Sequence, residues 1–273
     1  TDRIGEHSSQ ALFHDAVAGI RHAQALVGGH RRLIVVFDIQ AQAAGAGVIL
    51  RRDEEHDRVV GAGAPLVMIG ALGAIEVVID VLNVATQRRS VAEQFFSETT
   101  RTLQRAEAAA GVAHHVCLSI VGCERVASGY YFGKRAQETA ITAGPVPWTI
   151  LRTTQWHEFA EQVLGFFSVG PFSGVPRMRV QPVAAVEVAA LLVELAGGAP
   201  RRELVELAGP LQAELVDLAR AVNERSGLGR RLLPFTVPGA AGKAMRSGAL
   251  LPTGPGMRGQ QTFDEWLAQR TGH

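Results

Sequence analysis

An α/β fold, a parallel sheet covered by helices on both faces, is predicted by three observations. Downstream of about residue 74, short β-branched runs alternate with longer segments of helical period. Their spacing is that of strand–helix–strand–helix–strand units, in which a crossover helix returns the chain to a parallel neighbour. At 273 residues, with 47% hydrophobic and 19% charged side chains, the chain has ample apolar material for one large core.

Each element has its own signal. Residues 75–81 (IEVVIDV) form a β-branched run suited to a buried parallel strand. From Ser90 to Ala110 the pattern is helical, with Val91, Phe95, Thr99, Leu103 and Ala106 marking one face, and Gly111 supplies the stop. A strand over 115–121, a helix over 129–143 and a strand over 148–152 follow. Further on, helices are predicted over 184–196 and 211–225, with an alternating strand over 203–208 between them. Residues 237–260, rich in glycine and proline, read as a loop and mobile cover, and 263–269 as a short closing helix. Before residue 74 the signals are weaker: strands near 32–38 and 47–50, a helix over 11–27, and Val59-Val60 leading into the turn Gly61-Ala62-Gly63-Ala64. That turn lacks a third glycine and Pro65 follows it, so it reads as a plain glycine turn rather than a phosphate loop. The whole chain is expected to be a single domain, with residues 1–74 atypical and about 160–273 contributing a small C-terminal lobe.

Composition narrows the function. A net charge of +1 gives no basic stripe for nucleic acid. Cys117 and Cys123 are too few for a disulfide scaffold or a four-cysteine zinc site. Asp2, Arg3 and Glu6 sit where a signal peptide would be apolar, and the longest uncharged run, 59–75, is broken by glycines and Pro65. A cytoplasmic protein that engages neither nucleic acid nor membrane, as monomer or homodimer, is expected.

The chemistry is concentrated in one stretch. Tyr130 and Lys134 lie four apart on a predicted helix, so both project from one face. An ammonium close to a phenol favours the phenolate, and such a phenol can exchange a proton with a carbonyl or alcohol oxygen. Ser119, eleven residues upstream, falls near the C-terminal end of a predicted strand, the edge where open parallel sheets bind ligands. A hydroxyl there can orient a substrate oxygen. Elsewhere, His114 and His115 are adjacent on a strand and face opposite ways, so a shared metal is not expected. His157 and Glu158 are expected at a pocket rim.

Together these pieces resemble the short-chain dehydrogenase/reductase superfamily, in its atypical branch of NmrA-like and nucleoside-diphosphate-sugar-epimerase-like proteins. The resemblance runs over about residues 75–267. It rests on residues 78–83 (VIDVLN), 111–122 (GVAHHVCLSIVG), 129–138 (GYYFGKRAQE), 148–159 (WTILRTTQWHEF) and Gln181-Pro182-Val183 ahead of a helix. It implies a Rossmann-like doubly wound sheet with a C-terminal substrate lobe and an NAD or NADP cofactor. The implied activity is oxidation or reduction of a small carbonyl or alcohol; the alternatives are an NmrA-like cofactor-binding regulator or sensor without turnover, or an inactive partial product lacking the phosphate-binding loop. Tyr130 would be the general acid/base, Lys134 would hold the nicotinamide ribose and tune Tyr130, and Ser119 would polarise the substrate oxygen. Asn83 would lie beside the ribose, Thr153 and Thr154 would border the nicotinamide, and Gln155, Trp156 and Phe159 would shape the substrate pocket. No metal is implied. The resemblance also implies a Gly-x-x-Gly-x-x-Gly turn near residues 1–20, where the only glycines are Gly5 and Gly19. A divergent, truncated or misread N-terminal region explains the gap, the abrupt break favouring the last two.

Overall fold

The computed structural model describes residues 75–84 and 86–270, together with the backbone of three earlier strands, β1 (Leu33–Asp38), β2 (Gly47–Arg52) and β3 (Asp57–Val60). The expected helix over 11–27 and the turn at 61–64 lie outside the described residues. The remaining strands of the main sheet are β4 (Val77–Asp80), β5 (His114–Ile120), β6 (Trp148–Thr153), β10 (Leu204–Ala208) and β13 (Met257–Arg258). The order across the sheet is β13-β10-β6-β5-β4-β1-β2-β3. From β1 to β13 every pairing is parallel, whereas β2 and β3 extend the sheet as an antiparallel meander. The parallel half therefore has the predicted Rossmann-like design. At β1 it departs: the next strand returns antiparallel, where a doubly wound sheet has a crossover helix and a parallel strand.

Strand alternation sorts the core into two faces. Val77, Ile79, Val116, Leu151, Val205 and Leu207 pack with α4 (Ala185–Gly197), whose Leu191, Leu192 and Leu195 are buried. Each such leucine contributes about 1.5–3 kcal/mol by leaving water. On the opposite face, Val78 and Leu103 belong to one cluster, and Cys117, Ile141 and Ile150 to another, beneath α1 (Arg89–Ala110) and α2 (Gly129–Thr142). A further core joins α3 (Phe159–Phe166), α5 (Leu215–Arg225), α6 (Gly239–Arg246) and α7 (Phe263–Gln269) through Leu164, Leu215, Met245, Leu250 and Trp266. The small strands β7 (Ser168–Val169), β8 (Phe172–Pro176) and β12 (Arg231–Phe235) form a separate sheet beside it, and β9 (Arg179–Val180) pairs with β11 (Ala213–Glu214). Among the described residues no helix is long and apolar enough to cross a membrane.

Three readings are corrected. The inward face of α1 is Ala92, Phe96, Thr100, Leu103, Gln104 and Glu107, one position round from the predicted stripe, and Val91 is exposed. The apolar count chose the wrong stripe because the true one carries three polar residues, Thr100, Gln104 and Glu107, the last of which meets His115. Residues 237–260 contain α6, and Met245, Leu250 and Leu251 are buried, so the segment is anchored to the C-terminal core, with residues 253–258 exposed. The helix expected from residue 211 begins at Leu215, and Leu211 is exposed.

Gly133 sets how closely α1 and α2 approach. A Cβ there would lie 2.6 Å from Phe96 Cδ2 and 2.8 Å from Ala92 Cβ. Alanine is the better helix former by about 1 kcal/mol, yet the overpacking here outweighs that gain. Gly133→Ala is expected to lower unfolding free energy by about 1–3 kcal/mol, measured from urea denaturation. An unchanged or raised midpoint would show that the helices can part without cost.

Candidate functional site

The C-terminal ends of β4, β5 and β6 lie side by side, and every residue expected to carry chemistry is on or just beyond them or on α2. Leu82 and Asn83 follow β4. Tyr130, in the first turn of α2, donates its hydroxyl to Asn83 Oδ1 at 2.5 Å. Asn83 is exposed, so this pair stands at the open edge. Phe96 packs edge-on against the Tyr130 ring, with centroids 5.9 Å apart.

Lys134, one turn along α2, is buried. Its Nζ donates to Leu82 O at 3.3 Å, Leu118 O at 3.0 Å and Gln137 Oε1 at 2.8 Å, and lies 4.6 Å from the Phe96 ring centroid. Three acceptors satisfy the three donors of an ammonium. Gln137 Nε2 in turn donates to Asp80 Oδ2 at 2.9 Å, and Asp80 Oδ1 accepts the Leu82 N–H at 2.9 Å. The chain of contacts closes into a ring through Lys134, Gln137, Asp80 and Leu82. That ring ties α2 to the end of β4 and fixes the segment presenting Asn83 to Tyr130.

The expected tuning of the phenol takes a different form here. Burial raises the Tyr130 pKa above its ordinary value, with Cys117 adding to the rise, and the Lys134 ammonium does not offset it. The physical reason is the ring: the ammonium is directed at carbonyls and Gln137, while the phenol is directed at Asn83. Tyr130 is accordingly a neutral hydrogen-bond donor.

Ser119 is also placed differently from expectation. It is buried, and its hydroxyl donates to Glu138 Oε1 at 2.6 Å. Glu138 holds Arg152 in a two-point pair, with Nε–Oε1 at 2.8 Å and Nη2–Oε2 at 2.6 Å, and Arg152 Nη1 reaches Glu124 at 2.9 Å. A buried carboxylate needs every donor it can recruit, which is why this hydroxyl turns inward instead of toward a substrate oxygen.

Thr153 ends β6, Thr154 follows it, and both are buried. Thr153 Oγ1 accepts from Trp156 Nε1 at 3.3 Å, and Thr154 Oγ1 donates to Gln181 O at 2.5 Å. Gln155 follows them, and its Oε1 is buried with no hydrogen-bond partner. Trp156 and Phe159 are partly buried, the first against the α4 side of the sheet and the second against the C-terminal core. His157 and Glu158 are not rim residues. His157 is fully buried against Phe263 and Trp266 with Nε2 3.2 Å from Gln261 O, and burial lowers its pKa. Glu158 accepts from Trp266 Nε1 at 3.1 Å. Both fasten the closing helix α7.

Beneath α1 lies a group of buried polar residues that sequence reasoning missed. His115 Nδ1 is 2.8 Å from Glu107 Oε1, and its Nε2 is 3.6 Å from Asp80 Oδ2, all three fully buried. Burial works against charge on this imidazole, but Glu107 and then Asp80 outweigh it and raise its pKa. His114 points the other way, to Thr149 Oγ1 at 2.9 Å, as strand alternation requires. The available signal was the single acid in residues 75–81 other than the flanking Glu76: Asp80 interrupts an otherwise apolar strand and needed a partner.

No family profile matches this sequence, and no curated protein is similar to it at a significant level. Solved structures do share its architecture. The dTDP-glucose 4,6-dehydratase of Streptomyces venezuelae, solved with NAD bound, aligns over 75% of this chain and 74% of its own, with 16% identity and a TM-score of 0.54. An NADPH-dependent quinone oxidoreductase of Escherichia coli aligns over 74% and 78%, with 16% identity and a TM-score of 0.54. A nucleoside-diphosphate-sugar epimerase of Staphylococcus aureus aligns over 74% and 79%, with 13% identity and a TM-score of 0.53. These likenesses establish a Rossmann-like α/β fold of the kind those proteins have, in agreement with the sheet described above.

The environment of Ser119 generates a test. Ser119→Ala removes one hydrogen bond to a buried carboxylate, so it is expected to lower unfolding free energy by about 1–3 kcal/mol in urea titrations. A stability equal to the parent protein would mean that the hydroxyl is not committed to Glu138.

Proposed function

We propose that the protein binds NAD or NADP along the C-terminal edge of the sheet and is an oxidoreductase acting on a small carbonyl or alcohol, with Tyr130 as the proton-carrying group. One observation carries this reading: phenol, exposed carboxamide and ammonium converge on Leu82 and Asn83 just past β4, with Tyr130 Oη 2.5 Å from Asn83 Oδ1 and Lys134 Nζ 3.3 Å from Leu82 O. Structures of the same fold solved with NAD or NADPH support it. The donors and acceptors of Asn83, Tyr130 and Lys134 suit the hydroxyls of a nicotinamide ribose. The unpartnered Gln155 Oε1 offers an acceptor at the neighbouring strand end, beside Thr153 and Thr154. The pyrophosphate side differs from a doubly wound sheet: β2 pairs antiparallel to β1, where that design continues with a parallel strand.

A bound nicotinamide supplies the hydride chemistry, and the chain supplies position and the proton. The Tyr130 hydroxyl, already a donor to Asn83 Oδ1, would give its proton to a carbonyl oxygen in reduction, and its phenolate would take one from an alcohol in oxidation. Trp156 and Phe159 are the candidates for the apolar side of the substrate pocket.

A second reading, cofactor binding without turnover, draws on a specific observation: Lys134 already has three acceptors and Ser119 is committed to Glu138. Titration with NADH and NADPH, followed by nicotinamide fluorescence, and a screen of small aldehydes and quinones separate the two. The oxidoreductase reading expects saturable binding and turnover, with Tyr130→Phe lowering kcat about 100-fold or more while binding persists. Binding without turnover favours the second reading. Absence of binding would overturn both.

A further inference from the structure

We infer that Asp80, His115 and Cys117 form a buried binding site for a single thiophilic divalent cation of the zinc type, between the sheet and α1. One donor atom from each residue lies within 4.8 Å of the other two, and all three side chains are fully buried. The expectation of no metal considered His114 with His115, which strand alternation separates. Alternation instead puts His115 and Cys117 on one face of β5, with Asp80 beside them on the paired strand β4, where Asp80 registers with Cys117.

Three further features point to a ligand. His115 Nε2 is fully enclosed, has no hydrogen-bond partner, and faces Asp80 Oδ2 at 3.6 Å, too long for a hydrogen bond. His115 Nδ1 is held by the Glu107 carboxylate at 2.8 and 3.0 Å. A carboxylate on the far nitrogen fixes the ring orientation and tautomer, the arrangement that metal-ligating histidines commonly have. The donor set, one imidazole nitrogen, one thiol sulfur and one carboxylate oxygen, suits zinc better than magnesium or calcium, which take oxygen ligands.

Charge accounts balance as well. With the cation bound, Asp80, Glu107 and a Cys117 thiolate carry three negative charges, offset by the divalent ion and the nearby Lys134 ammonium. The Cys117 thiol proton and any proton on His115 Nε2 leave to solvent as the bonds to sulfur and nitrogen form. Zinc bonds of about 2.0–2.3 Å place tetrahedral ligands roughly 3.3–3.8 Å apart, so side-chain movement of about 1 Å closes the site. Asp80 Oδ2 also accepts from Gln137 Nε2, which holds Lys134. Occupancy of the site is thereby coupled to the ammonium at the candidate active site.

Because the site is enclosed, the test loads it in two ways: expression with zinc supplementation, and refolding of the full chain from urea with Zn(II) or Co(II). An equimolar amount of zinc retained through gel filtration is expected, and the cobalt form should show a near-ultraviolet thiolate charge-transfer band. Cys117→Ser should abolish the band and at least ten-fold of the affinity, whereas Cys123→Ser, whose thiol lies instead beside Glu138, should keep both. Asp80→Asn serves as a second variant if Cys117→Ser does not fold, and should also lose affinity. Substoichiometric metal in both preparations, a cobalt form without the thiolate band, or retention by Cys117→Ser or Asp80→Asn would overturn the site.

Discussion

The hydrogen-bonded ring through Lys134, Gln137, Asp80 and Leu82 holds α2 against the open end of β4, and the geometry of the candidate site follows from it. Each member has a reason to be there. Asp80 is a fully buried carboxylate and needs donors, which Leu82 N–H and Gln137 supply. Lys134 is a buried ammonium and needs acceptors, which the strand-end carbonyls of Leu82 and Leu118 supply. A carboxylate and an ammonium joined through a carboxamide let both charges stay buried without touching. The Asn83–Tyr130 contact is the ring's exposed outcome. With α2 pinned at Lys134 and Gln137, its first turn can present Tyr130 only to the residue after Leu82.

The buried polar groups sort by strand. On β4 and β5, His115 lies between Asp80 and Glu107, the latter from α1. One strand over, Ser119 and Arg152 meet Glu138 from α2. Both sets lie on the face covered by α1 and α2, whereas the α4 face is mostly Val, Leu, Ile and Ala, with His114 and Thr149 as a buried polar pair. The buried carboxylates of β4, α1 and α2 are thus gathered on the face close to the candidate chemistry. Breaking a single member of such a pair strands its partner in the core, a loss of about 3–5 kcal/mol, so these residues constrain the sequence as firmly as the leucines do.

Much of this was legible beforehand. The β-branched runs gave β4, β5 and β6, the Gly111 stop of α1 appears at a left-handed φ of 74°, and Tyr130 and Lys134 share α2 beside the C-terminal end of β4, as their spacing suggested. What the sequence hid was direction. Spacing put the phenol and the ammonium on one helix face, but only the fold reveals that Leu82 O and Leu118 O compete for the ammonium. Ser119 read as a free hydroxyl because Glu138 and Arg152, nineteen and thirty-three residues away, had no visible link to it. The inward stripe of α1 was misjudged because a buried glutamate violates the apolar pattern on which periodicity depends. Residues before 75 gave strands but not their antiparallel order, which depends on tertiary pairing that local pattern does not encode.

The central claim is that a nicotinamide ribose docks where Tyr130, Lys134 and Asn83 converge. A crystal structure of the protein soaked with NADPH tests it most directly. Ribose hydroxyls within hydrogen-bond distance of Tyr130 Oη and Lys134 Nζ, with the Tyr130–Asn83 contact exchanged for the ligand, is the result the account predicts. A cofactor bound elsewhere on the molecule, with the contacts of Lys134 and Tyr130 unaltered, would contradict it.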